Sequence, residues 1–276
     1  MKPAAFDYIR VAHPDEILVA FEEYGADARI LAGGQSLVAM LNFRLAQPGA
    51  LIDISRCADL DYVRVDDGHL CVGAAATQTS VQQHSALERE VPLLALALPF
   101  ISHYQIRNRG TVCGSIAFAD PSAELPLCLT ALEGQVVLRS RRGQRVLGAD
   151  EFFTGMLTTA ISAGEFIEEV RFPVARQGVR YAFDEVAMRR GDFAIVSVAA
   201  VLAQRQVTLA VGGVADRPVR KSWSNWAPGE SDARLNDFAW SLGAQSDAHA
   251  NAAYRRHLVR TLGRKLTGQT DNAEAA

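Results

Sequence analysis

The first apolar stripe along the chain predicts an amphipathic helix near its start. The stripe recurs every three or four positions, as one face of a helix requires, and consists of Ile17, Leu18, Phe21 and Tyr24. Pro14 suits the first position of a helix, and Gly25 suits its end. We therefore expect a helix that begins at Pro14 and stops at Gly25.

Residues 28–55 predict a strand, a helix and a second strand. The short apolar runs ARILAGG and GALIDIS are typical of buried strands. Between them, SLVAMLNFRLA has helical spacing, and Ser36 is placed to open that helix. Such a sequence of elements in one short stretch indicates a small, mostly parallel βαβ unit.

Two hairpins and a strand are expected between residues 60 and 175. Two alternating runs surround Asp67-Gly68, a pair that favours a tight hairpin turn. QVVLRSRRGQRVLGADEFF predicts a second hairpin that turns at Arg142-Gly143. The run EFIEEVRFPVA predicts a strand that ends at Pro173.

The same region also carries helical patterns. TSVQQHSALEREVPLLALALPFI has helical spacing until about Pro99. IRNRGTVCGSIAFADPSAEL is rich in small residues and then opens a helix, with Asp120 as the N-cap and Pro121 after it.

The pattern changes near Pro173–Gly178, where we place a domain boundary. Three β-like segments follow in succession, namely VRYAFDEVAM, DFAIVSVAAVLA and QVTLAVGGVADRP. A helical part comes next and includes NAAYRRHLVRTLGRKL, while the tail TGQTDNAEAA has a disordered composition. Strands followed by helices predict an α+β arrangement in which a meander packs on helices.

Composition and charge exclude several classes of protein. The 276 residues are 49% hydrophobic and 21% charged, which is ordinary for a globular protein. The net charge of -3 gives no general attraction to nucleic acid or to an acidic membrane. Proline interrupts the longest apolar stretches, so no membrane span is expected, and the start of the chain lacks an apolar signal core. We therefore expect a cytoplasmic protein.

The cysteines and histidines do not form a metal-binding pattern. The four cysteines are Cys57, Cys71, Cys113 and Cys128. None are spaced as C-x-x-C, and the six histidines are scattered. We expect neither a metal site nor a disulfide framework in this chain.

The segment AGGQS has the chemistry of an anion-binding loop. Gly33 and Gly34 stand between a predicted strand and a predicted helix, where flexible backbone lets N–H groups converge on an anion. Gln35 and Ser36 could donate side-chain hydrogen bonds to the same oxygens. The alternative is a tight turn with Ser36 as an ordinary cap, and the segment matches neither a G-x-G-x-x-G fingerprint nor a P-loop.

A second loop of small residues lies in RGTVCGSIAFADPSAEL. Gly110, Thr111, Gly114 and Ser115 permit close backbone approach. The carboxylates of Asp120 and Glu124 follow and could hydrogen-bond a polyol or a ribose. The alternative is again structural, since both acids suit the first turn of a helix.

These two loops and further segments resemble the FAD-binding medium subunit of molybdenum hydroxylases, the carbon monoxide dehydrogenase and xanthine dehydrogenase group. The similar segments cover nearly the whole chain in order. They are LAGGQSLVAMLNFRLAQPGALIDIS, IRNRGTVCGSIAFADPSAELP, FFTGMLTTAISAGEFIEEVRFP, FDEVAMRRGDFAIVSVAAVL, GGVADRPVR and SDAHANAAYRRHL.

The resemblance implies an α+β protein with a two-part α/β FAD-binding domain of the PCMH type at residues 1–175. Its subdomains would cover about 1–57 and 58–175. A C-terminal domain at 176–276 would contain a three-stranded antiparallel sheet and helices, and would end in about ten disordered residues.

The resemblance also implies how FAD is held. Leu31–Leu37 would wrap the pyrophosphate, the second loop would form a second cradle, and two acids would hydrogen-bond the adenosine or ribityl part. Two isoleucines would pack near the flavin ring. The implied cofactor-binding residues are Leu31, Ala32, Gly33, Gly34, Gln35, Ser36, Leu37, Ile101, Thr111, Gly114, Ser115, Asp120, Glu124 and Ile161.

The activity implied by the resemblance is electron transfer by an oxidoreductase subunit, with no catalytic residue of its own. A small subunit with [2Fe–2S] clusters would pass electrons to FAD, which would reduce an external acceptor. A large subunit would carry molybdopterin, and the assembly would be a dimer of heterotrimers.

One departure from the family leaves alternatives open. The family usually has two adjacent glycines where this chain has Cys113 and Gly114. If the first position needs a positive φ, cysteine there costs about 1–2 kcal/mol. One alternative is therefore a scaffold subunit with weak or lost FAD binding. A further alternative is a flavin oxidoreductase that acts without partners.

Overall fold

The computed structural model describes residues 2–227 and 231–268. The strands in these residues are β1 (Asp7–Arg10), β2 (Ala28–Leu31), β3 (Ala50–Asp53), β4 (Val63–Asp66), β5 (His69–Gly73), β6 (Gln135–Ser140), β7 (Gly143–Gly148), β8 (Phe153–Gly155), β9 (Thr158–Thr159), β10 (Phe166–Pro173), β11 (Arg180–Ala187), β12 (Ala194–Ala203), β13 (Gln206–Gly212) and β14 (Val219–Ser224).

The α-helices in the same residues are mostly short. They are α1 (Pro14–Tyr24), α2 (Leu37–Asn42), α3 (Gln78–Gln82), α4 (Leu87–Glu90), α5 (Pro92–Ala97), α6 (Tyr104–Arg107), α7 (Val112–Phe118), α8 (Glu124–Ala131), α9 (Ala149–Phe152), α10 (Ser231–Ser241) and α11 (Ala252–Gly268). Single turns of 3-10 helix occupy Gly25–Asp27, Ala58–Leu60 and Leu98–Phe100.

The first sheet is parallel and confirms the predicted βαβ unit. Its strand order is β1-β3-β2, and β3 pairs in parallel with both neighbours. The predicted helix at Pro14 is α1, which ends where Gly25 adopts a φ of +53°. Strand β1 escaped prediction because it has four residues, of which three are exposed. Helix α2 is shorter than predicted because Arg44 takes a left-handed backbone conformation, with φ +57°.

The second sheet is antiparallel and has the order β4-β5-β10-β6-β7. Both predicted hairpins are present, and β4–β5 turns at Asp67-Gly68 as predicted. The turn predicted at Arg142-Gly143 is wrong by one residue, because Gly143 pairs with Ser140 as part of β7 and Arg141 and Arg142 form the turn. Strand β10 ends at Pro173, as predicted, and lies at the centre between β5 and β6.

The prediction of one continuous helix that ends near Pro99 is wrong. The segment is divided into α3, α4 and α5. Val91 precedes Pro92 and has φ -139° and ψ 73°, a non-helical conformation. The ring of a proline disfavours helical geometry at the preceding residue, so the helix is interrupted there.

The C-terminal sheet is antiparallel with the order β11-β12-β13-β14. The sequence predicts three strands here, and the fourth, β14, escaped prediction because VRKSWS lacks a clear apolar alternation. Trp223 of β14 pairs with Val207 and packs edge-on against Phe238 of α10, with 5.5 Å between ring centroids. Helices α10 and α11 cover this sheet and share its hydrophobic core.

Helix α8 lies between the second sheet and the C-terminal sheet. All its residues are buried, and it packs on β12 and β13. Just before it, the carbonyl of Pro121 accepts a hydrogen bond of 2.7 Å from the N–H of Gly213. The α+β class is therefore confirmed. The proposed domain boundaries at residues 57 and 175 stay predictions. The tail predicted to be disordered begins at Thr267, but Thr267 and Gly268 form the end of α11, and the rest of the tail lies outside the described residues.

Candidate cofactor-binding site

An open cavity of about 870 Å³ lies between the first sheet and helices α7 and α8. Its walls come from β2, the loop at 32–37, the segment at 101–115, the start of α8, residues 157–167 and the turn at 191–193. These segments are distant in sequence, so only the folded chain forms the cavity.

The first glycine-rich loop leaves β2 and enters α2. Gly34 has a φ of +74°, a conformation that glycine adopts without a steric penalty. Gln35 donates a side-chain hydrogen bond of 3.1 Å to the carbonyl of Gly33. Ser36 occupies the N-cap position of α2, but its hydroxyl makes no capping hydrogen bond. The hydroxyl therefore remains available to a ligand.

Gly33 brings the first loop into contact with the second. A Cβ at Gly33 would overlap the carbonyl oxygen of Arg109 and lie 2.7 Å from the Cα of Gly110. Farther along, a Cβ at Gly114 would lie 4.0 Å from the Cβ of Ala32. The two loops therefore face each other across a gap that side chains larger than glycine would fill.

Thr111 shapes the second loop. It is the N-cap of α7, and its Oγ1 accepts a hydrogen bond of 2.9 Å from the N–H of Gly114. Cys113 lies in the first turn of α7 and has no positive φ. Its buried thiol donates to the carbonyl of Val72 at 3.4 Å, and burial raises the pKa of this thiol. The backbone cost that a cysteine would carry at a positive φ therefore does not arise.

Two carboxyl groups stand at the entry to α8. Glu124 is 4% exposed, and burial raises its pKa to about 7. Burial also raises the pKa of Asp120. A carboxyl group that is partly neutral can donate a hydrogen bond to a hydroxyl or phosphate oxygen.

A further acid, the half-buried Glu185, lies near Glu124. Burial and the nearby Glu124 carboxylate raise the pKa of Glu185 to about 8. Oε2 of Glu185 and Oγ of Ser197, its partner across β11 and β12, are buried and have no hydrogen-bond partner among the described residues. Burial and the neighbouring negative charge therefore favour the neutral form of Glu185.

The structure brings together all but one of the residues that the resemblance implies. The cavity is lined by Ala32, Gly33, Gly34, Gln35, Ser36, Leu37, Ile101, Thr111, Gly114, Ser115, Asp120, Glu124 and Ile161. Leu31 is absent from its walls; its side chain lies behind the first loop, 3.4 Å from the position of a Cβ on Gly34. The N-cap assigned to Asp120 is wrong, because α8 begins at Glu124 after Ala123, and Asp120 instead accepts the N–H of Ser122 at 2.8 Å.

Several cavity residues were missed by reasoning from the sequence. Gln78 is buried, and its N–H donates to the carbonyl of Gly110 at 2.8 Å. No local pattern marks it, because its place depends on contact with a distant loop. Phe193 follows the turn RRGD and is 60% exposed. Its position as an apolar residue after a polar turn was the one sequence signal that could have marked it as a cavity residue. Arg29 and Ile30 on β2 also line the cavity.

The residues present fit a dinucleotide. Two close loops without bulky side chains supply backbone N–H groups, and Asp120 and Glu124 supply partners for hydroxyl groups. The cavity is open to solvent and is lined by both loops, so that one ligand can contact both. In the part of the chain that the structure describes, no three potential metal ligands cluster together.

Comparison with a family model shows to which protein family the chain belongs. The description "FAD binding domain in molybdopterin dehydrogenase" matches residues 4–175. This chain belongs to that family. The beta subunit of caffeine dehydrogenase from Pseudomonas sp. (strain CBB1) is 38% identical over 226 residues, which cover 80% of this chain and 77% of that subunit.

Carbon monoxide dehydrogenase provides a second family member for comparison. Its medium chain from Hydrogenophaga pseudoflava is 32% identical over 226 residues, covering 80% of this chain and 79% of that one. A solved structure of carbon monoxide dehydrogenase from the same organism superposes with a TM-score of 0.90 at 28% identity, and covers 96% of both chains. Family and fold thus agree along nearly the whole chain. No helix among the described residues could cross a membrane.

Proposed function

We propose that this chain is the FAD-carrying electron-transfer subunit of a multi-subunit molybdenum hydroxylase. It takes electrons from the [2Fe–2S] clusters of a small subunit and passes them to an external acceptor. The observation that carries the proposal is the contact of Gly33 with the backbone of Arg109 and Gly110, which sets two glycine-bearing loops on one cavity.

In this proposal, the two loops bind the diphosphate through backbone N–H groups. Gln35 and Ser36 add side-chain donors, while Asp120 and Glu124 hydrogen-bond the sugar or ribityl hydroxyls. Ile101, which is 8% exposed, and Ile161 exclude water from one face of a ring. Bound FAD supplies the redox chemistry, so the chain needs no nucleophile or acid–base pair of its own.

The geometry at Cys113 argues against the scaffold alternative. That alternative rests on the cost of cysteine at a position that needs a positive φ, and Cys113 has ordinary helical backbone. The alternative of an independent flavin oxidoreductase is not supported by the comparisons, since the relatives named above are subunits.

The proposal includes the partners. The large subunit carries molybdopterin, the small subunit carries the iron–sulfur clusters, and the assembly is a dimer of heterotrimers in the cytoplasm.

The test is purification of the full chain alone and together with its large and small subunits, followed by absorbance spectroscopy and FAD titration. We expect flavin bands near one FAD per chain and co-purification of all three subunits. Failure of both the isolated chain and the assembled complex to bind FAD would overturn the electron-transfer proposal. Binding of FAD with steady turnover of an organic donor by the isolated chain would instead favour the independent enzyme.

A further inference from the structure

Arg29 is the one basic side chain among the described residues that line the cavity. The other charged residues on its walls are acids, namely Asp120, Glu124, Glu165 and Asp192. Glu165 and Asp192 are paired with Arg145 and Arg189, whose distances to them are 2.7 and 3.3 Å. The cation of Arg29 is therefore isolated on an otherwise acidic wall.

The guanidinium of Arg29 is held in place by main-chain carbonyls. Its Nη1 donates to the oxygen of Ala26 at 2.7 Å and to the oxygen of Ala28 at 2.8 Å. Both of these residues also line the cavity. One nitrogen thus fixes the planar group, while Nε and Nη2 form no hydrogen bond within residues 2–227 and 231–268 and stay available to a ligand.

The guanidinium of Arg29 is held on the side of β2 that faces away from the first loop. Arg29 precedes Gly33 by four residues along an extended segment, a separation of up to about 13 Å along the chain. Its two carbonyl partners lie on the N-terminal side, farther from the loop. Phe21 and Gly25 form the neighbouring wall. This end of the cavity therefore suits a part of the cofactor beyond its diphosphate.

We propose that Arg29 binds a planar heteroaromatic ring of the cofactor, either the isoalloxazine or the adenine, at the end of the cavity away from the two loops. A fixed guanidinium can stack on such a ring or donate to its edge, and arginine does this better than lysine. The inference rests on the proposed function and adds a residue that recognises one ring of FAD.

The test is titration of the full chain with FAD, FMN and ADP, using Arg29→Met, Arg29→Lys and the control Arg142→Met. Arg142 lies in the β6–β7 turn and is absent from the cavity walls. We expect Arg29→Met to weaken FAD binding about fivefold to thirtyfold, Arg29→Lys to weaken it less, and Arg142→Met to leave it unchanged. Thermal melting of the ligand-free variants reports any loosening of the turn at Gly25–Ala28.

The smaller ligands distinguish the two rings. A loss of FMN affinity with unchanged ADP affinity assigns the isoalloxazine to Arg29, and the opposite result assigns the adenine. FAD affinity of Arg29→Met within twofold of wild type, or equal losses in Arg29→Met and Arg142→Met, overturns the inference and leaves the function standing. A wild-type chain that binds no FAD, alone or in its complex, overturns both.

Discussion

The two loops that face the cavity resemble each other in sequence but differ in why their residues are small. In the first loop, Gly33 and Gly34 are required, one by contact with Arg109 and Gly110 and the other by its φ of +74°. In the second, Thr111 caps a regular helix that accepts Cys113 at ordinary dihedral angles. A glycine pair in a family pattern can thus reflect two different physical needs.

The loops also differ in the charges that follow them. Gln35 and Ser36 make the first loop uncharged, whereas the second leads to Asp120 and Glu124. Burial raises the pKa of both acids. The second loop should therefore respond to pH, and the first should not.

Gly33→Ala should have the largest effect. The added Cβ overlaps the carbonyl of Arg109, so the loops must separate. Overpacking of this kind costs about 1–3 kcal/mol of stability, and we expect FAD affinity to fall about tenfold or more. FAD titration and denaturant unfolding measure the two effects.

The matched control is Gly49→Ala, where the new Cβ would lie 3.4 Å from the Cβ of Asp27, an ordinary contact. Gly49→Ala should keep wild-type affinity. Equal FAD binding by Gly33→Ala and the wild type would show that close approach of the loops is not needed.

Glu124→Gln should change the pH dependence of stability. The pKa of Glu124 is about 7 in the folded chain and ordinarily 4.5, so the folded state favours the neutral carboxyl. The stability that this group contributes is complete below pH 4.5 and is lost as the pH rises towards 7. Each pKa unit corresponds to about 1.4 kcal/mol, so the whole effect is at most a few kcal/mol.

The measurement is urea unfolding of wild type and Glu124→Gln from about pH 5 to pH 8, the range in which a raised carboxyl pKa acts. The wild type should lose stability across this range and Glu124→Gln should lose less. Parallel curves would contradict a neutral buried acid. Glu185→Gln tests the coupled acid, whose pKa of about 8 predicts a decline that continues to higher pH.

Thr111→Val should lower both stability and FAD affinity. It removes the oxygen that accepts the N–H of Gly114 at 2.9 Å, and loss of such a cap costs about 1 kcal/mol. Thr77→Val is the matched variant, because Thr77 caps α3 through the N–H of Ser80 at 3.0 Å but does not line the cavity. Thermal melting should show similar losses of stability in the two variants. FAD titration should distinguish them, because only Thr111→Val should bind FAD more weakly. A weaker FAD affinity in both variants would point to a general loosening.

Cys113→Ala should have the smallest effect. The thiol contacts the carbonyl of Val72 inside the core, and the backbone is helical. We expect FAD affinity within about twofold of wild type. Cys113→Gly should lose up to about 1 kcal/mol of stability from helix propensity, with no gain in affinity. A clear gain in affinity with glycine would revive the scaffold alternative.

Local patterns predicted the elements that carry strong periodicity or specific turn residues. Helix α1 and the hairpin at Asp67-Gly68 are examples, because their stripe and turn are fixed by neighbouring residues. The hairpin β6–β7 was also predicted, but its turn lies one residue earlier than expected. Strand β1 was missed because it is stabilised by pairing with the distant β3, and β14 was missed because VRKSWS lacks a clear apolar alternation. The interruption of the predicted helix at Pro92 has a local cause, the effect of proline on Val91, but the helical spacing of the apolar residues continues across it and favoured an unbroken helix.

The sequence by itself indicated the family and the α+β class, because its motifs occur in order along the chain, and thirteen of the fourteen residues that it proposed for cofactor binding line the cavity. Only the tertiary structure decided that Leu31 lies behind the loop, that Cys113 is helical and that Gln78 and Arg29 join the cavity. These facts depend on which backbones approach across the fold. A contact such as that between Gly33 and Arg109 joins residues far apart in sequence, and no local pattern records it.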